Sequence, residues 1–163
     1  MVSKVLFSSN TGEWGTPPQL YEVLNKEFKF TLDPCTTIDN PLGTDWYYIK
    51  EMDGLKQNWF GNVYVNPPYG SGVTEWLEKG LQQLSGCYVI VYLLPARTDT
   101  KWFHQYVYND YSHTWWSWVK EVRFLKGRLK FGGAKNTAPF PSMVVVFSNN
   151  LKYTAVVTAV IDQ

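Results

Sequence analysis

Cysteine is scarce in this chain. Only Cys35 and Cys87 occur in 163 residues, far apart and with two histidines in all, so neither the spaced pairs of a zinc site nor a disulfide framework is present. The two read as free thiols of a reducing compartment, and no metal is expected. No apolar run approaches the about 18 residues that a membrane span requires, and the opening MVSKVLFSSNTGEW lacks the apolar core of a secretory leader. An excess of one charge is also missing: 15 Lys and Arg face 14 Asp and Glu, so composition alone announces no polyanionic partner. Repeats and low-complexity segments are absent. The expectation is a soluble intracellular protein without membrane contact, organised as one domain over residues 1–163 around one core.

Aromatic residues, by contrast, are abundant. They make up 17% of the chain, with 8 Trp and 11 Tyr, more than a core alone needs and suited to stacking. Charge is balanced in total but not in place: KEVRFLKGRLKFGGAK, residues 120–135, sets six basic side chains against Glu121 alone. A local positive patch and a plain solvated face are the two readings of that segment.

The stretch VYVNPPYGSG is the most informative. Val63, Tyr64 and Val65 favour a strand, and Pro67 and Pro68 cannot donate to a sheet, so pairing stops there. Each proline confines the residue before it to extended backbone, which stiffens Asn66 and Pro67. The Asn66 side-chain oxygen and the Pro67 carbonyl are then two acceptors able to converge on one amino group. Tyr69 adds an aromatic face for a planar base. The competing reading is a proline-stiffened turn with a core tyrosine, which the order Asn-Pro-Pro-Tyr after an apolar strand disfavours.

Periodicity supplies the frame. WGTPPQLYEVLNKEF predicts a helix capped by Thr16, with Pro17 at its first position. FKFTLDP predicts a short strand ending at Asp33-Pro34. Trp46 to Ile49 suggests a short strand and MDGL a turn. Val73, Trp76, Leu77, Leu81 and Leu84 mark one face of a helix, and CYVIVYLLPA reads as a strand buried on both sides. RTDTKWFHQYVYND predicts another helix, with Thr98 or Asp99 as its cap and His104 as a structural residue. EVRFL, RLKF and SMVVVF predict strands of hairpin character, and YTAVVTAVI a last strand. The alternation implies a three-layer α/β fold with a mostly parallel central sheet and an antiparallel C-terminal hairpin, ligands binding beyond the strands' carboxyl ends.

Asn66-Pro67-Pro68-Tyr69 resembles the catalytic motif of S-adenosylmethionine-dependent amino-methyltransferases. The ordered segments EWGTPPQLYEVLNKEFKFTLDPC, DGLKQNWFGNVYVNPPYG, LLPARTDTKWFH, FLKGRLKFGG and APFPSMVVVF look like the small phage-type DNA N6-adenine methyltransferases of the Dam family. The resemblance runs over most of residues 13 to 147 and implies a Rossmann-like methyltransferase fold. It implies methyl transfer from S-adenosylmethionine to the N6 amine of an adenine flipped out of double-stranded DNA, with Asn66, Pro67, Pro68 and Tyr69 catalytic. Asp33, Pro34 and Cys35 match the start of the family's first motif, and Trp14, Thr16 and Pro17 a Trp-x-Thr-Pro signature near the same pocket. The glycine-rich turn that many relatives carry after Asp-Pro is delayed here to Gly43. Asp53, ahead of Asp45, is the candidate for the ribose hydroxyls, a plain turn residue being the equal alternative. Arg97, Lys101, Arg123, Lys126, Arg128 and Lys130 are the candidates for DNA phosphates. An RNA or protein amino-methyltransferase and an inactive nucleic-acid-binding module are the competing functions. Target reading falls to loops near Trp115 to Lys135 or to a second subunit, which leaves a homodimer open. The expected location is the cytoplasm of a bacterial host, if a phage or prophage encodes the chain.

Overall fold

The computed structural model describes residues 14–132, 134–150 and 157–161. Its central sheet has seven strands: β1 (Leu32–Thr36), β2 (Trp46–Ile49), β3 (Gly61–Val65), β4 (Cys87–Pro95), β7 (Val119–Leu125), β8 (Ser142–Phe147) and β9 (Val157–Ile161). Their spatial order is β2-β1-β3-β4-β8-β7-β9, and every neighbouring pair is parallel except those made by β8, which runs against β4 and β7. The expected parallel sheet with an antiparallel pair towards the C-terminus is therefore observed. A separate two-stranded hairpin joins β5 (Tyr108–Asn109) to β6 (Thr114–Trp115).

Helices cover both faces. α2 (Val73–Gln83) and α3 (Lys101–Tyr106) bury Trp76, Leu77, Trp102 and Phe103 against Ile90, Tyr92 and Phe147. On the other face α1 (Pro18–Phe28) packs Leu20, Tyr21 and Leu24 against Tyr64, Val91 and Leu93. β4 is apolar and buried on both sides from Val89 to Pro95, as a strand between two helical layers must be.

Several predicted details move. The strand expected to end at Asp33-Pro34 instead starts at Leu32 and continues to Thr36. Pro34 is tolerated because β3 pairs with β1 only at Leu32, and the register to β2 shifts between Asp33 and Thr36, so its missing N–H is not called upon. Thr16 does not cap α1. Pro17 holds the N-cap position and the Thr16 hydroxyl is engaged elsewhere. α3 is capped at Thr100, not at Thr98 or Asp99, and it ends by Tyr106 because Tyr108–Asn109 pairs with Thr114–Trp115. RLKF forms no strand. Its alternation survives as an extended strap in which Leu129 and Phe131 are buried while Arg128 and Lys130 face out. Residues 153–156 of the predicted last strand lie outside the described residues.

Arg123 is a further correction. It is not available to DNA phosphates, because it is 7% exposed and its guanidinium forks onto Glu27 at 2.7 and 2.6 Å and Glu121 at 2.6 Å. The group also lies over the Phe28 ring, so it ties α1 to β7. Removing it leaves two carboxylates facing one another. Because Glu27 is half exposed and water can take up its charge, Arg123→Ala is expected to cost about 2–3 kcal/mol, below the usual penalty for breaking a buried pair. A urea titration measures this, and an unchanged midpoint would contradict the structural role.

Candidate active site

β3 and β4 run side by side, with Val65 opposite Tyr92, so the residues after Val65 leave the carboxyl end of β3 beside the last three residues of β4, which continues to Pro95. Tyr64 and Asn66 are two apart in extended chain and point to the same face, the one covered by α1. The Asn66 amide nitrogen donates to the Trp14 carbonyl and, at 3.0 Å, to Thr16 Oγ1. Thr16 Oγ1 in turn lies 2.9 Å from the Tyr64 hydroxyl, whose pKa burial pushes far up, so it stays protonated. With both amide hydrogens taken, the orientation of Asn66 is fixed. Its Oδ1 is buried and has no hydrogen-bond partner. The Pro67 carbonyl likewise accepts no hydrogen bond from the described residues. An unpaired buried acceptor costs about 1–3 kcal/mol, which a donor ligand would recover.

Aromatic rings wall this point. Tyr69 donates its hydroxyl to the Leu93 carbonyl at 3.3 Å and stands edge-on to Phe140 at 5.5 Å and Phe131 at 6.1 Å. Trp14 packs on the same two phenylalanines at 5.3 and 5.1 Å, and the Gly132 N–H donates to the Gly15 carbonyl, fastening the strap to the 14–16 segment.

Asp33, the second residue of the adjacent strand β1, is 3% exposed. Burial pushes its carboxyl up to about 7, against the opposing effect of the Cys35 N–H, which donates to Oδ1 at 3.0 Å. Its charge reaches Tyr21 and Tyr64, which places it on the α1 face with Asn66. The MDGL turn packs directly on this strand: a Cβ added to Gly54 would meet the Pro34 carbonyl oxygen at 2.0 Å. Asp53, in that turn, forms an exposed ion pair with Lys56 at 2.9 Å, the bond that chiefly lowers its pKa.

A strand-end Asn-Pro-Pro-Tyr with an open acceptor, a buried carboxylate beside it and an aromatic wall are joined by a match over residues 4–161 to the family model described as DNA N-6-adenine-methyltransferase (Dam). The chain belongs to the DNA N-6-adenine-methyltransferase (Dam) family. Over 105 residues it is 30% identical to the DNA N-6-adenine-methyltransferase of Escherichia phage T1, covering 63% of this chain and 43% of that protein. This Dam-family chain thus spans less than half the length of that curated relative. No solved structure matches it.

The remaining candidates divide. Arg97 and Lys101 follow β4 and are exposed, Arg97 lying over the Phe140 ring at 5.9 Å. Lys126, Arg128 and Lys130 are exposed along the strap, whereas Arg123 belongs to the interior. Pro17 serves as the N-cap of α1 and positions the preceding Thr16. His104 is structural, its ring nitrogens 2.6 Å from Asp110 Oδ1 and 2.7 Å from the Thr98 carbonyl oxygen. Among the described residues no group of three or more His, Cys, Asp or Glu could hold a metal ion, and no helix is long and apolar enough to cross a membrane. Sequence reasoning missed Tyr64, Phe131 and Phe140 as parts of the site. The two-residue spacing of Tyr64 and Asn66 was the available signal. For the phenylalanines it was the burial alternation of the strap.

Proposed function

We infer that this Dam-family chain transfers the methyl group of S-adenosylmethionine to the N6 amine of adenine in duplex DNA, in the cytoplasm of a host cell. The observation that carries the reading is the buried, unpartnered Oδ1 of an Asn66 whose amide nitrogen is doubly anchored. Such an oxygen suits a donor with two hydrogens, one for Asn66 and one for the Pro67 carbonyl. Holding both hydrogens favours a pyramidal nitrogen with its lone pair free for attack. The positive charge that develops on nitrogen then meets two fixed acceptor dipoles, which is transition-state rather than ground-state stabilisation. The cosubstrate supplies an electrophilic sulfonium methyl; its carbon–sulfur bond breaks as the carbon–nitrogen bond forms. The methylated amine then loses a proton to water, so no general base is required.

The other residues fit the same reading. Asp33 offers a buried carboxylate to the cationic methionine portion of the cosubstrate, and the Asp53 turn lies against the same strand. Tyr69, held by Phe131 and Phe140, supplies the stacking surface for a base extruded from the duplex. Methyl-labelled S-adenosylmethionine offered with duplex DNA, RNA and protein tests the function. Label in DNA supports it; label only in RNA or protein moves the chain to the corresponding amino-methyltransferase, and none at all makes it a binding module.

Phosphate contact falls to the outward cations of the strap. Replacing Arg128 and Lys130 by Gln is expected to weaken binding to all duplexes alike. Two lost contacts should flatten the slope of log affinity against log salt by about 1.8 in all. Affinities at several salt concentrations check this, and an unaltered slope would leave the two cations a purely solubilising role.

A further inference from the structure

Beyond the rim of the site lies a groove that the Asn66 network does not use. Tyr69 packs on Phe140, Arg97 lies over the same ring, and two residues on Asp99 begins to line a groove of about 500 Å³ between α3 and the β5–β6 hairpin.

The groove is firmly built. His104 bridges the Thr98 carbonyl and Asp110, tying the loop after β4 to the hairpin. Trp116 donates from Nε1 to the His104 carbonyl at 3.1 Å and lies flat on Trp118, ring centroids 4.8 Å apart and planes 4° apart. Asn109 Oδ1 accepts from the Tyr111 and Ser112 amides, which sets the hairpin turn and presents Tyr111 at 97% exposure.

Its chemistry differs from that of the basic strap. Lys101 and Gln105, one helical turn apart, share an exposed face of α3, and neither side chain hydrogen-bonds another described residue. The carboxylates of Asp99 and Asp110 stand beside them, a lining that repels phosphates. Amide, ammonium and carboxylate heads around aromatic walls are the groups that read base edges: Gln pairs with adenine N6 and N7, Lys with guanine O6 and N7, and a carboxylate accepts from cytosine N4. We propose that this groove reads the edges of base pairs flanking the target adenine, with Gln105 and Lys101 as specificity-determining residues. The proposal rests on the DNA reading above and locates target recognition within the chain.

The test is methylation of a duplex library with randomised bases around adenine, mapped by sequencing, for the wild type, Gln105→Ala, Gln105→Glu and Lys101→Ala, each with a wild-type melting temperature. Gln105→Ala should lower discrimination at one flanking position by about tenfold or more. Gln105→Glu should turn that position towards cytosine, a gain that no folding defect produces. The Arg128→Gln, Lys130→Gln double variant should keep the wild-type site. Variants that lose rate at every sequence, or keep the wild-type preference, overturn the groove's role and leave adenine methylation standing. A wild type without flanking preference does the same. A wild type that methylates no duplex overturns the underlying reading as well.

Discussion

Asp33→Asn is expected to melt well above the wild type at pH 8, to lose that advantage towards pH 4, and to bind S-adenosylhomocysteine far more weakly. The Asp33 carboxyl is raised to about 7 in the folded chain from an ordinary value of 3.8, chiefly by burial. The folded state therefore holds its proton more tightly than the unfolded state. The contribution of this group to stability is therefore greatest below about pH 4, falls as pH rises through the window up to about 7, and stays lowered above it. The gap between the two values corresponds to about 4 kcal/mol as an upper figure, and a neutral Asn of the same shape should recover about 2–4 kcal/mol of it at pH 8. For a chain of this size that is roughly 5–10 °C in melting temperature. The same replacement removes the charge that would meet a cationic methionine group. Since hydrogen bonds to charged groups contribute about 1.5–3 kcal/mol, affinity should fall about 10- to 100-fold. Wild-type affinity should rise with pH up to about 7, because binding must first strip the proton. Thermal melts across pH and calorimetry decide both parts; a pH-independent difference in melting, or unchanged affinity, would remove Asp33 from this role.

Asn66→Ala should leave that affinity nearly intact and suppress transfer. Losing one preorganised hydrogen-bonding group of this kind costs about 10²–10³ in rate. The variant also deletes the two bonds to Trp14 and Thr16, so the 14–16 segment loses an anchor, but its packing on Phe131 and Phe140 remains. Single-turnover kinetics with saturating DNA separates the chemical step from binding. A near-normal rate would mean that Asn66 does not hold the amine.

Much of this frame was legible in the sequence for definite reasons. Two successive prolines, unlike the single Pro34 that β1 tolerates, leave two ladder donors missing in a row, so the position of Asn66 at the end of β3 needed no tertiary information. The continuous apolar run of β4 and the 3.6-residue spacing of α2 were equally local signals. What failed was decided by partners distant in sequence. Arg123 reads as one cation of a basic run until Glu27, 96 residues earlier, closes on it. Thr16 has the composition of a helix cap, but its hydroxyl bonds instead to Tyr64 and Asn66, 48 and 50 residues on. RLKF alternates as a strand does, and only the absence of a neighbouring ladder makes it a strap. The wall of Phe131 and Phe140 was hidden for the same reason.

The identity of the methylated atom tests the central claim most directly. An Asn-Pro-Pro-Tyr acceptor pair would serve the amine of cytosine as readily as that of adenine, and only the product tells them apart. Duplex DNA incubated with the chain and S-adenosylmethionine, digested to nucleosides and resolved by mass spectrometry, should yield N6-methyl-2′-deoxyadenosine, and Asn66→Ala should yield almost none. Methyl groups on cytosine alone, or an undiminished yield from the variant, would contradict it.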